Sequence, residues 1–210
     1  VKLFPLIATP CYGNVLCLNY VSSILRLRSV FWQLGIEHEF YLRGNESAIT
    51  RARNSCVDYF RAGPWSHLFF IDADIGFEPA AAVRLLYAKR DVVAGIYQLK
   101  HEYAGFPFDI ATLGPVDGQG FAEVREAPTG FMCIAGDVFT RMHRCGISRH
   151  EFFDNMIADD EYLTEDFAFC RRWRALGGAV HVDTKCALSH QGTKLYTGTP
   201  EWPSPPTTIS

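Results

Sequence analysis

HLFFIDADIGFEP, residues 67–79, decides how the rest of the chain is read. A short apolar run, Leu68 to Ile71, gives way abruptly to Asp72-Ala73-Asp74, and Gly76 and Pro79 follow. A strand that is apolar on both faces belongs inside an α/β sheet, where ligands bind beyond the strand carboxyl ends. Asp72 and Asp74 are predicted at that end. If the backbone stays extended, alternate residues point the same way with Cα atoms roughly 6.5 Å apart. Both carboxylates can then serve one divalent cation, one directly and the other directly or through water. Acids also favour the point where a strand meets a turn, because Asp bonds nearby backbone groups. The strand before the triplet, with Gly76 and Pro79 after it, strengthens the cation reading without excluding the turn.

Upstream, residues 2–8 (KLFPLIA) read as a first strand and residues 9–14 (TPCYGN) as the loop leaving its carboxyl end. The Tyr12 ring there either lies on a flat base or packs over the turn. Val21, Ile24, Leu25, Leu27, Phe31 and Leu34 recur at helical spacing, and Gly35 stops that helix. Residues 36–42 form a second strand, giving the βαβ alternation of a layered α/β domain. A helix over 47–62, capped by Ser47, carries Arg51, Arg53 and Asn54. Arg51 and Asn54 share a face and Arg53 points elsewhere. Such side chains can hold a phosphate or orient Asp72, although solvated arginines are the default on a helix.

Downstream, Pro79 opens a helix running to about Lys89, and residues 91–97 form a buried strand with Gln98, Lys100 and His101 at its end. Residues 106–119 are loop-rich, 121–125 alternate as a strand, and Gly130 either lets backbone approach a ligand or permits a bend. A short helix over 137–144 precedes an acidic stretch, 152–166, whose part from Asp154 to Glu161 reads as a candidate mobile lid. The helix of residues 164–177, capped by Thr164, buries Phe167, Phe169, Cys170, Trp173 and Leu176. Glu165 and Asp166 lie in its first turn, where the helix dipole favours acids even without catalytic duty. Strands at 179–182 and 187–189 close the domain and end at His190-Gln191-Gly192-Thr193-Lys194. His190 suits metal ligation, and Gly192 and Lys194 suit phosphate oxygens, against the commoner structural use of an isolated histidine.

The 210 residues suffice for one large domain or two small ones, and 48% hydrophobic content exclude a disordered chain. A formal net charge of -3 without any basic run excludes general nucleic-acid attraction. Seven cysteines without paired spacing read as small buried residues of a reducing compartment. With no transmembrane segment and no signal-peptide pattern, a cytoplasmic location is expected. The Pro/Thr/Ser-rich segment 197–210 reads as a linker to further domains, leaving 1–196 as a single domain.

The order of TPCYG, RARN, FFIDADIGFEP, VVAGIYQLK, PTGFMCIAGDVF, LTEDFAFCRRW and SHQGTK resembles the GT-A class of nucleotide-sugar glycosyltransferases over about Leu3 to Tyr196, most closely glycosyltransferase domains encoded by large chlorella viruses. The resemblance implies a three-layer α/β/α sandwich around a central mixed, mostly parallel sheet. It also implies transfer of a sugar from a UDP-sugar donor to a glycan acceptor, in viral glycoprotein glycan synthesis in the host cytoplasm. Asp72-Ala73-Asp74 matches the Asp-x-Asp motif that holds Mn²⁺ against the diphosphate and touches the ribose, and His190 matches a further metal ligand. Mixed carboxylate and imidazole donors favour Mn²⁺, with Mg²⁺ possible. Thr9, Tyr12, Arg53 and Asn54 match nucleotide-binding positions. Gln98, Gly130, Gly192 and Lys194 are expected along the diphosphate and sugar, with Asp117 and Asp166 also shaping the sugar pocket. Glu165-Asp166 matches the acidic pair beside the acceptor, which supplies the base in inverting members. In a retaining reaction the leaving phosphate takes the proton and Asp166 only positions. Two other readings stand beside this one: a non-catalytic nucleotide-sugar or glycan binding module, and a nucleotidyltransferase. The latter is disfavoured because no Gly-rich, Lys- or Arg-bearing loop follows the first strand.

Overall fold

The strand His67–Ile71, β3, is buried from Leu68 onward, and its alternate side chains feed two different apolar layers. Leu68 and Phe70 face one side of the sheet, and Phe69 and Ile71 face the other, as a strand period of two requires. The computed structural model describes residues 2–100, 105–107, 113–200 and 202. In chain order its elements are β1 (Pro5–Cys11), α1 (Leu18–Gln33), β2 (Glu39–Gly44), α2 (Ile49–Arg61), β3, β4 (Ile75–Phe77), α3 (Pro79–Tyr87) and β5 (Val92–Gly95). They continue with β6 (Phe121–Val124), β7 (Phe131–Ala135), α4 (Gly136–Arg144), β8 (Met156–Ala158), β9 (Glu161–Leu163), α5 (Glu165–Ala175), β10 (Val180–Asp183), β11 (Leu188–Gln191) and β12 (Leu195–Thr197).

The central seven-stranded sheet has the order β2-β1-β3-β7-β5-β10-β6. β2, β1, β3, β5 and β10 run one way, while β7 and β6 run against them. Phe60 of α2, Phe139 of α4 and Trp173 of α5 cover one face; Leu27 and Phe31 of α1 with Leu85 and Leu86 of α3 cover the other. This is the expected α/β/α sandwich with a mixed, mostly parallel sheet. A second, three-stranded sheet, β12-β11-β4, stands beyond the carboxyl end of β3.

Several local expectations are corrected. The first strand extends through Thr9 and Pro10 to Cys11 because β2 pairs with it that far, leaving only a tight turn at Tyr12–Asn14. Ser47 is not the cap of α2; Ala48 occupies that position, and its N–H donates to Glu46 Oε1 at 3.0 Å. Thr164 stands at the cap of α5, but its hydroxyl donates to Asp166 Oδ1 at 2.6 Å instead of bonding the helix backbone. The acidic segment is a hairpin, β8 and β9, closed by Asp159 and Asp160 with φ of 53° and 63°. Asp tolerates that left-handed region better than most residues. β12 was not anticipated, and it carries the chain past residue 196: Thr197 ends the strand, Pro200 is buried, and Trp202 packs against the α2–α4–α5 layer. His101 lies outside the described residues. All seven cysteines are unpaired thiols, and no helix among the described residues is long and apolar enough to cross a membrane.

Trp173 is fully buried, donates from Nε1 to Ala179 O at 3.2 Å, and lies so close to Gly178 that a Cβ there would meet its ring at 2.1 Å. Trp173→Ala is expected to cost about 3–5 kcal/mol of stability. Trp32→Ala, on the exposed flank of α1, should change it by less than about 0.5 kcal/mol. Urea titrations read both, and equal midpoints for the two variants would contradict this placement of the core.

Candidate functional site

The chain turns immediately after β3: Ile75 N–H donates to Asp72 O at 3.1 Å, so the extended arrangement expected for Asp72 and Asp74 does not occur. The cause is β4, which leaves the central sheet to pair with β11, placing Ile75 opposite His190. The turn is held from three sides. Ala73 O accepts from Cys17 N–H at 2.9 Å; Asp74 O accepts from Gln191 N–H at 2.8 Å and from Asn19 Nδ2 at 3.0 Å. The two carboxylates therefore meet different partners.

Asp72 is gripped by Arg53, whose Nη1 and Nη2 each donate to one carboxylate oxygen at 3.1 Å. The same guanidinium donates from Nε to Glu165 Oε1 at 3.2 Å and lies over the Phe70 ring at 5.3 Å. α2 turns Arg53 inward among Ala52, Cys56 and Phe60, while Arg51 reaches outward to Glu46 at 2.7 Å. Burial alone would push the Arg53 pKa down, but Asp72 and Glu165 outweigh it and hold the guanidinium charged. Burial raises the Glu165 carboxyl above its ordinary range despite Arg53, with Asp166 adding to the rise. Asp166 is half-buried and also acts electrostatically on Arg53 and Tyr97, so it belongs to the same cluster.

Asp74 meets His190 and Lys100. His190 Nδ1 lies 3.0 Å from the Gln98 carbonyl, an acceptor only, so Nδ1 carries the proton. Its Nε2 faces Asp74 Oδ1 at 3.5 Å, and Tyr97 packs edge-on against the ring with centroids 5.0 Å apart. Lys100 Nζ donates to Asp74 Oδ2. Burial alone would raise the Asp74 carboxyl; His190 beside Oδ1 and the Lys100 ammonium on Oδ2 prevail and hold it below the usual range. Gly130 is required by close approach, since a Cβ there would meet the Tyr97 hydroxyl at 2.4 Å and Asp72 Oδ2 at 3.0 Å.

A cleft of about 270 Å³ opens beside the turn, lined by Pro10, Tyr12, Val15, Glu46, Asp72 and Asp74 among others. Tyr12 is 75% exposed at its mouth. Thr9 does not line it: the residue is fully buried and its hydroxyl pairs with Tyr20 at 2.7 Å, because β1 continues through this position. Asn54 is also turned away from it. Its side chain donates to His150 O at 2.8 Å and accepts from Phe153 N–H at 3.0 Å, pinning the segment before β8. Asp117 sits apart as well, accepting from Arg90 at 2.5 Å and from the backbone of Gln119 and Phe121. Gln98 contributes its carbonyl to His190. Gly192 packs against the Lys100 stem, with a Cβ there 3.1 Å from Lys100 Cδ, and exposed Lys194 lies over the Tyr196 ring at 5.2 Å. Lys100 was expected in a ligand position at the carboxyl end of the 91–97 strand, without a named partner; Tyr97 and Glu46 carried no expected role, and for Tyr97 the available signal was the same strand end.

Among the described residues no three His, Cys, Asp or Glu side chains already converge as a metal cage. The donor set nonetheless fits a divalent cation that is completed by a ligand. Asp74 and His190 present a carboxylate and an imidazole nitrogen 3.5 Å apart, with the imidazole tautomer fixed by a backbone carbonyl.

No protein-family model matches the chain, and no curated protein matches it. Among solved structures the fold is similar to A197 from STIV, at a TM-score of 0.57 and 17% identity over 96% of this chain and 97% of that one. It is similar to GalNAc-T7 at a TM-score of 0.57 and 11% identity, over 99% of this chain and 46% of that one. The chain thus spans under half the length of the GalNAc-T7 chain. These likenesses, with the sheet order and flanking helices, define the fold as the GT-A type of nucleotide-diphospho-sugar transferases.

Arg53→Met leaves two acids unpaired, and it is expected to cost on the order of 3 kcal/mol, below a fully buried pair because Asp72 keeps water contact. Arg53→Lys recovers only part, since an ammonium cannot make the fork and the Nε bond together. Denaturant unfolding measures both. The acids titrate with opposite sign. Glu165, raised in the folded protein, favours folding at low pH and loses that contribution as pH rises through the carboxylate range to its folded value; Asp74, lowered, contributes above the ordinary value and loses it as pH falls through the folded one. Stability of Glu165→Gln should therefore gain on wild type as pH rises above the ordinary glutamate value, and a difference that stays constant with pH would refute the raised carboxyl.

Proposed function

We propose that the protein is a metal-dependent glycosyltransferase that moves a sugar from a UDP-sugar to a hydroxyl of a glycan acceptor. The observation that carries this reading is the convergence of Asp74 and His190, with Asp72 and Glu165 tied together through Arg53 and Asp166 beside them, beyond the end of β3 on a GT-A sheet. Ligands of open α/β sheets bind at that edge. GalNAc-T7, which shares the fold, was crystallised with UDP, GalNAc and Mn²⁺, and the cleft chemistry suits that ligand class.

In this reading Tyr12 stacks on the base, and Asp74 and His190 hold the cation with Asp72 in support. Held there, Mn²⁺ would supply positive charge against the diphosphate, where negative charge grows as the glycosidic carbon–oxygen bond breaks. Mixed carboxylate and imidazole ligation favours Mn²⁺ over Mg²⁺. Lys194 adds positive potential on the leaving side, stabilising the departing charge more than the ground state. Glu165 is committed to Arg53 and positions it. Asp166, half-buried at the head of α5, takes the proton of the attacking acceptor hydroxyl. The sequence resemblance supplies the setting: a virus-encoded domain, tethered to others, building glycans of a viral glycoprotein in the host cytoplasm.

Calorimetric titration of UDP, GDP and CMP with and without Mn²⁺ tests the donor site. UDP is expected to bind only with metal, and Asp74→Ala to abolish that binding; metal-independent binding, or none, would sink the assignment. With a UDP-sugar donor and acceptor in hand, Asp166→Asn should lower kcat by about 10²–10⁴-fold while leaving UDP affinity intact. A parallel loss of affinity would make Asp166 a binding residue instead of a base.

A further inference from the structure

Lys100 occupies an unexpected place. Its ammonium donates to Asp74 Oδ2, while Oδ1 of the same carboxylate faces His190 Nε2. The lysine is thus the ammonium partner of that carboxylate. Its stem lies along Gly192, where a Cβ would press on Cδ at 3.1 Å and on Cγ at 3.4 Å, so the absent side chain at 192 makes room for it. The turn beneath is fixed by Gln191 N–H and Asn19 on Asp74 O, so Asp74 has little freedom to swing away from Lys100.

We propose that Lys100 is a substrate-released gate on the metal position: it pairs with Asp74 before a nucleotide binds and moves to the donor diphosphate when one does, freeing Asp74 for the cation. This rests on the metal-dependent donor reading above. An ammonium on Oδ2 and a divalent ion held between Oδ1 and His190 Nε2 would crowd two cations onto the two oxygens of one carboxylate, close enough to repel, so lysine and metal compete. A diphosphate brings negative charge and several acceptor oxygens within reach of a flexible four-carbon stem, offering the ammonium a stronger partner than a single carboxylate. Metal and nucleotide then favour each other's binding reciprocally. Sequence position alone gave Lys100 a place at a strand end; only the fold sets it on Asp74.

The test follows free Mn²⁺ by its electron paramagnetic resonance signal during titration of the full chain, with and without UDP. It compares wild type, Lys100→Met, Lys100→Arg and Asp74→Asn. If the lysine leaves Asp74 free about one-tenth of the time, Lys100→Met binds Mn²⁺ about ten-fold tighter than wild type without UDP. UDP then tightens Mn²⁺ binding in wild type and in Lys100→Arg, which keeps the charge, but much less in Lys100→Met. Lys100→Met matching wild type without UDP, while wild type with UDP binds Mn²⁺, would overturn the gate and leave the donor site standing. Absence of Mn²⁺ binding to every protein, with and without UDP, would overturn the metal reading and the gate with it. Mn²⁺ binding that Asp74→Asn retains would do the same.

Discussion

The site depends on one buried guanidinium. Arg53 is 4% exposed and supplies three bonds, two to Asp72 and one to Glu165. Placing a charge in that position is unfavourable unless its donors are satisfied, and here two acids from distant parts of the chain satisfy them. One acid follows β3, at the end of the central sheet; the other opens α5. The ion pairs therefore fix the register between the turn after β3 and the helix that carries Asp166. Phe70 beneath the guanidinium and Gly130 beside Asp72 keep the arrangement tight.

A second constraint is the departure of β4 from the central sheet. Because β4 pairs with β11, the residues just before β4 and those at the end of β11 are brought face to face, and His190 reaches Asp74. Tyr97 and the Gln98 carbonyl hold the imidazole from the other side. Two charge systems thus lie beyond the end of β3. Arg53 with Asp72 and Glu165 is internal and rigid. Asp74 with His190 and Lys100 is partly open to solvent.

Much of the layered architecture was legible because it follows from local rules. Buried strands appear as short apolar runs, α1 and α5 as helical periodicity, and turns as Gly and Pro punctuation. The errors are equally physical. Thr9 and Pro10 read as loop residues, yet β2 supplies strand partners as far as Cys11. Ser47 read as a cap, but Glu46 satisfies the N–H of Ala48. Asn54 read as a nucleotide contact, yet its amide serves the backbone at His150 and Phe153. In each case a partner distant in sequence or an unforeseen local one decided the outcome.

By itself the sequence determined the alternation of strands and helices, the burial of β3 and the presence of acids at its end. Those features depend on residue type and spacing within a single segment. Only the tertiary structure decided which charges meet: Arg53 with Asp72 and Glu165, and Asp74 with His190 and Lys100. Pairings of that kind depend on strand order, on the branching of β4 into a second sheet and on close approach at Gly130. None of these is encoded by neighbouring residues, because a charge is satisfied by whatever group the folded chain brings within hydrogen-bond distance.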